Sequence, residues 1–153
     1  MILLVGLGNP GKEYIKTRHN LGFNIIDKIK DNYSFPNYQK KFLGLYSKKK
    51  IEGIEVILLK PQTFMNLSGS SVKKIVLFHK ILNKNIIVFH DDLDMENGKL
   101  RVKQNGGHGG HNGIRDIILK IGNDFNRLKV GIKLSNIKIK AESFVLKRFS
   151  KKE

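Results

Sequence analysis

Two short apolar runs constrain this chain most: Met-Ile-Leu-Leu-Val at residues 1–5 and Ile-Ile-Val-Phe at 86–89. Gly6 stops the first and His90 the second, and both runs have the length of buried strands. Around them, helical and strand-like patterns alternate. Leu21, Phe23, Ile25, Ile26 and Ile29 recur at roughly helical spacing over 20–32, and Ser68 is placed as an N-cap for a helix over 69–81. Residues 42–47 and 54–59 look like strands joined by a Lys-rich turn at Gly53. Asn97-Gly98 is a tight-turn signal ahead of a strand over 99–104. Residues 113–121 form a helix closed by Gly122, and 127–133 alternate with Leu128, Val130 and Ile132 on one face. This alternation predicts an α/β fold, a single-domain three-layer sandwich with a mixed central β-sheet flanked by helices.

A length of 153 residues suits one domain, and 40% hydrophobic with 27% charged residues is a globular balance. No apolar stretch approaches the roughly 20 residues of a membrane span. The N-terminal apolar run is too short for a signal peptide and has no charged region before it. The absence of Cys excludes disulfides and thiolate metal sites. A cytoplasmic enzyme without membrane association is the plain expectation. The net charge of +16, from 29 basic and 13 acidic residues, points to a polyanionic partner, nucleic acid first. A compositional bias towards Lys accounts for the same excess without a partner, and attraction to phosphates follows either way.

Six places carry residues suited to chemistry. Gly-Gly-His-Gly-Gly-His-Asn-Gly at 106–113 has Gly at five of eight positions, a large entropic cost for a segment that buries no side chain there. His and Asn in place of linker Ser favour a binding loop. Gly6, Gly8 and Gly11 match a dinucleotide-binding G-x-G-x-x-G, but Pro10 and the polar residues to Arg18 delay the helix that should hold a pyrophosphate. The same turn instead offers Asn9 just past a strand end. His19, at the helix entrance, suits a general base for activating water, although a lone His is more often structural. Asn66, beside Met65, is either a turn residue or an amide for a substrate carbonyl.

His90-Asp91-Asp92-Leu93-Asp94 leaves three readings open: a solvated turn, a Mg²⁺ site, or a carboxylate orienting a histidine. His108 and His111 are spaced for zinc, but a flexible Gly backbone and no thiol argue against a fixed tetrahedral site. Arg101 and Lys103 share one strand face, and with Lys129 they make either a phosphate clamp or ordinary solvated cations.

Together these stretches resemble bacterial peptidyl-tRNA hydrolases. The matching pieces are Gly-Leu-Gly-Asn-Pro-Gly (6–11), Tyr14, Thr-Arg-His-Asn (17–20), Phe-Met-Asn-Leu-Ser-Gly (64–69), His-Asp-Asp-Leu-Asp (90–94) and the 106–113 run. They stand in the family's order and at similar spacing across about residues 1–149, so a peptidyl-tRNA hydrolase-like domain would span 1–153. The resemblance implies a monomeric, cofactor-free and metal-free esterase that uses water to cleave the peptide–tRNA ester, a ribosome-rescue activity in translation. It implies His19 as the base, Asp91 as its carboxylate partner, and Asn9 as the amide placing the tRNA 3′ end. It implies Asn66 and Asn112 as amides for the peptide and the attacking water, with Tyr14 and Met65 on the cleft wall. Arg101, Lys103, His111 and Lys129 fall at positions that hold tRNA phosphates, although the family more often has Arg where Lys129 stands.

Two departures accompany the match. Family members usually continue past residues 144–146 into C-terminal helices that pack on the sheet, and these would be missing from a chain ending at Glu153. Residues 134–142 also match the family's usual cleft loop poorly. The rivals are an RNA-binding relative that hydrolyses nothing, and a Mg²⁺ nuclease built on Asp91, Asp92 and Asp94.

Overall fold

The computed structural model describes residues 1–133, so the expectations for 134–142 and for 144–146 lie outside the described residues. Seven strands, β1 (Ile2–Gly6), β2 (Gln39–Lys41), β3 (Gly44–Ile51), β4 (Ile54–Pro61), β5 (Ile86–Glu96), β6 (Leu100–Gln104) and β7 (Asn126–Lys133), form one sheet ordered β2-β3-β4-β1-β5-β7-β6. β1 lies parallel between β4 and β5, and β5 runs parallel to β7. The outer pairs β2–β3, β3–β4 and β6–β7 are antiparallel. The sheet is therefore mixed, with the two apolar runs side by side at its centre, where both faces must be covered.

Helix α1 (Leu21–Asn32) covers one face, and α2 (Ser68–His79) with α3 (Asn112–Ile121) covers the other. The larger core joins Leu3, Val5, Leu7, Ile57 and Leu59 to Val72, Ile75, Ile114 and Ile117; the smaller sets Ile26 and Phe35 against Leu58. Each such buried aliphatic side chain contributes about 1.5–3 kcal/mol by leaving water. Opposite faces of β1 thus feed two cores, which is the predicted three-layer arrangement.

Three local expectations change. Ser68 is not the cap of α2: its Oγ donates back to the Met65 carbonyl at 2.7 Å, and Leu67 occupies the capping position. The Gly69 N–H instead donates to the Asp116 carboxylate at 2.8 Å, so α3 supplies the cap. A Cβ on Gly69 would lie 2.3 Å from the Asp116 carbonyl, so the two helices meet here only because residue 69 is Gly. Second, β5 does not turn at His90 but continues to Glu96, because β7 goes on pairing with it after β1 has ended. Third, Asn97-Gly98 does turn the chain, with Gly98 at φ 84°, yet β5 and β6 are not neighbours. β7 lies between them, pairing Asp91 with Val130 and Leu100 with Val130.

Candidate active site

The site forms where β1 stops and β5 continues. Gly6 pairs with Phe89 and the Leu7 N–H still donates to the Phe89 carbonyl, but beyond this point β5 has an open flank. After β1 the chain makes two short 3₁₀ turns, Lys12–Tyr14 and Arg18–Asn20, before α1 begins. This delayed helix is what the Pro10 reading predicted, and it puts His19 rather than a helix N-terminus against the open flank. Gly22 lets α1 lie on the strand end, since a Cβ there would come within 2.4 Å of the Leu7 nitrogen.

His19 and Asp91, 72 residues apart in sequence, meet there with Nδ1 at 2.9 Å from both carboxylate oxygens. Burial alone would raise the Asp91 carboxyl, but electrostatic attraction to the His19 and His111 rings and their hydrogen bonds outweigh it and hold the group below the ordinary carboxylate range. An ionised carboxylate only accepts, so Nδ1 of His19 donates, and in the neutral ring the lone pair is on Nε2. His111 is the second partner, with Nε2 2.8 Å from Asp91 Oδ1 and Nδ1 accepting from the Gly113 and Ile114 N–H groups. His90 packs edge-on against His111 at 4.8 Å and donates from Nδ1 to the Asp91 carbonyl. Burial first, then the neighbouring His111, pushes His90 down to about 3, so it stays neutral.

His19, Asp91 and His111 form the one grouping among the described residues whose potential metal-ligand atoms all lie within 4.8 Å. Here hydrogen bonds already fill it: each histidine gives one N–H to the carboxylate, and the other His111 nitrogen caps α3.

On the side of β1, the Asn20 amide takes the Asn9 N–H at 2.7 Å and gives to the Asn9 carbonyl at 2.9 Å. The Asn9 side-chain oxygen in turn accepts from the Met65 N–H at 2.7 Å. A cleft of about 320 Å³, large enough for a small substrate group, is lined by His19, His90 to Asp94, His108 to Asn112 and Lys129. A second hollow of about 270 Å³ opens beside Asn9, Asn20, Phe23, Lys60 and Gln62. A larger hollow of about 460 Å³ at Lys40, Lys41 and Gln62 contains neither His nor carboxylate.

A family model described as Peptidyl-tRNA hydrolase matches residues 3–153. The chain belongs to the peptidyl-tRNA hydrolase family. It is 49% identical to a peptidyl-tRNA hydrolase of Clostridium botulinum (strain Eklund 17B / Type B), over 100% of this chain and 80% of that one. It is 50% identical to a chloroplastic peptidyl-tRNA hydrolase of Arabidopsis thaliana, over 99% of this chain and 53% of that one. The crystal structure of peptidyl-tRNA hydrolase from Acinetobacter baumannii superposes with a TM-score of 0.93 at 44% identity, covering 99% of this chain and 78% of that one. No helix among the described residues is long and apolar enough to cross a membrane.

Within this member of the peptidyl-tRNA hydrolase family, the site residues expected from sequence sit as follows. His19, Asp91 and Asn9 converge on the strand ends. Asn66 and Asn112 are exposed, and they flank one seam because Met65 packs under Gly113, where a Cβ would lie 2.6 Å from its sulfur. Met65 itself belongs to the main core, with 5% exposure, and so serves as floor rather than as an open wall. Tyr14 is half-buried in the first 3₁₀ turn, where its carbonyl accepts from the Thr17 hydroxyl. His111, expected among the tRNA contacts, turns both ring nitrogens inward.

The cations of β6 and β7 stand in ranks. Register puts His90, Lys129 and Arg101 in one cross-strand row, and Val88, Arg127 and Lys103 in the next. Arg101 and Lys103 are exposed, while Lys129 is held 3.8 Å from Asp92.

Three residues of consequence had not been assigned roles from sequence. Asn20 lay inside a quoted motif, but its grip on Asn9 depends on the loop fold. His90 had been grouped with the acids that follow it. Arg127 was one polar position of an alternating strand, yet it is fully buried and donates to the carbonyls of Gly107 at 2.8 Å and Gly106 at 3.0 Å.

Proposed function

We propose that the chain hydrolyses the ester joining a peptide to the terminal ribose of tRNA, returning free tRNA to translation. The observation that carries this reading is the His19–Asp91 pair at the rim of a cleft in a chain of this family. His19 Nε2 takes a proton from water, and the hydroxide oxygen bonds to the ester carbonyl carbon. The positive charge gained by the imidazole is offset by Asp91, which keeps the ring's other proton on Nδ1. Collapse of the tetrahedral intermediate breaks the bond to the ribose oxygen, and that oxygen takes the proton back from His19. An acyl ester is already activated, so a positioned water, one base and a few amides suffice in this reading, with no cofactor.

The amides divide the remaining work. Asn9, whose oxygen is occupied by Met65, offers its NH2 to the tRNA 3′ end. Asn66 and Asn112 hold the peptide backbone and the water from either side of their seam, and Met65 with Tyr14 supports that wall. Because main-chain groups are what they bind, the peptide's side chains matter little. Arg101, Lys103 and Lys129 give tRNA phosphates a path from the cleft to the sheet edge, about two strand spacings or ~10 Å. The enzyme works in this reading as a cytoplasmic monomer.

The test is incubation with an N-blocked aminoacyl-tRNA, with and without EDTA. Release of the blocked amino acid in both supports the reading. An intact ester with tRNA retained, or cleaved RNA, overturns it.

A further inference from the structure

Asp91 carries two imidazoles, and the chemistry above uses one. His111 Nε2 lies 2.8 Å from Oδ1, and His19 Nδ1 lies 2.9 Å from both oxygens, with the two rings 5.0 Å apart. A carboxylate has about four acceptor positions, so both donors fit at once. His111 is distinguished by its other nitrogen. Nδ1 accepts the Gly113 N–H at 3.1 Å and the Ile114 N–H at 3.3 Å, and so caps the first turn of α3. A ring nitrogen accepting amide protons bears none itself, so the single proton of His111 stays on Nε2, facing Asp91. A proton added at Nδ1 would break the cap and set a positive charge against the positive end of the helix.

Resting on the reading of His19 as the base, we propose that His111 is a positioning residue, a fixed neutral N–H donor that shares the Asp91 carboxylate with His19. Its first effect is orientation. With one oxygen anchored by α3, the carboxylate cannot swing away from His19, so the lone pair of His19 stays on Nε2. Its second effect is electrostatic. Part of the Asp91 charge is engaged by His111, so Asp91 holds a proton on His19 less tightly than it would as His19's sole partner.

Other titratable and charged groups face the pair, and burial more than His111 keeps His90 among them neutral. His90 on β5 is buried and neutral, Asp92 and Lys129 pair at 3.8 Å across β5 and β7, Arg18 shares the 3₁₀ turn of His19, and His108 lines the rim.

Two substitutions separate the capping duty from the carboxylate duty. His111→Asn retains a good helix cap but is too short to reach Asp91. His111→Gln reaches further and can return an N–H to the carboxylate while giving up the cap. Steady-state kinetics on N-blocked aminoacyl-tRNA across pH 5–9 are run for both variants, for the unaltered protein and for His19→Ala, with melting temperatures alongside. The expected result for His111→Asn is an acidic limb of kcat/KM moved up by about one pH unit, an almost unchanged melting temperature and a KM within about twofold. His111→Gln is expected to lower the melting temperature and to restore the limb to its original position. A His111→Asn profile that superimposes on the unaltered one overturns the proposal, as does a pure rise in KM with a weaker salt dependence, the mark of a phosphate contact. Those results leave His19 as the base if His19→Ala is inactive; full activity in His19→Ala removes the base reading itself.

Discussion

The side chain of Asn20 closes a reciprocal pair of hydrogen bonds on the main chain of Asn9, accepting from its N–H and donating to its carbonyl. One amide thus fixes the loop that carries another. Asn9 passes the constraint on, since its oxygen holds the Met65 N–H and with it the turn bearing Asn66. Asn20→Ala leaves two buried backbone groups unpaired, each costing about 1–3 kcal/mol. It is expected to lower the melting temperature and to reduce kcat/KM on the order of 100-fold through misplaced amides. A variant that melts earlier but turns over normally would separate the loop from catalysis.

His19→Ala is expected to abolish turnover while tRNA binding stays nearly intact, because the side chain is 11% exposed and its Nδ1 is engaged with Asp91. Filter binding to a non-hydrolysable peptidyl-tRNA analogue measures the second half of this statement. Measurable wild-type turnover would sink the mechanism.

Lys103 lies on the exposed edge strand with its side chain over the glycine loop, 2.8 Å from where a Cβ on Gly106 would be. Loss of its charge by Lys103→Ala is expected to raise KM and to flatten the slope of log affinity against log salt by about one unit. An unchanged slope takes Lys103 off the tRNA path.

His90 gives the fold a defined acid sensitivity. In the unfolded chain the ring takes up a proton below about 6.5, whereas the folded site holds it neutral down to about 3. As pH falls through that window the unfolded state binds the extra proton, so stability falls by about 1.4 kcal/mol per pH unit. Asp91 contributes almost no slope between pH 6.5 and about 5, because its depressed carboxyl adds stability above its unfolded value and loses it only at lower pH. His90→Phe is expected to remove this slope in denaturant titrations at pH 5–6.5. A slope identical in both proteins would show that another group titrates there.

What could be read from the chain beforehand follows from which signals are local. Helical periodicity located α1 and α3 to within a residue, and alternation located β6 and β7. β2 was missed because Gln39–Lys41 is polar and exposed throughout and exists only by backbone pairing with β3. A solvated turn was one of three readings for His90–Asp94 because Asp is rare in strands, and only the partner β7, over 30 residues later, makes the stretch extended. At the site, His19, Asp91 and Asn9 were legible as residue types near strand ends. The inward turn of His111 was not, since it depends on where the first amides of α3 point. Arg127 gave no signal at all, because a buried cation looks in sequence like any exposed one.

The glycine loop is fixed to the rest of the fold at its two ends, and its glycines meet no side-chain packing in between. Arg127 ties down Gly106 and Gly107, His111 is clasped between Asp91 and α3, and a Cβ at Gly107, Gly109 or Gly110 would meet nothing within 4 Å. Gly109 and Gly110 nevertheless sit at φ 56° and 83°, so these glycines are there for backbone shape rather than for packing. The span is an arch with anchored footings, one beside the His19–Asp91 pair and the other beside the basic sheet edge, and His108 braces its crown through Gly110 and His111.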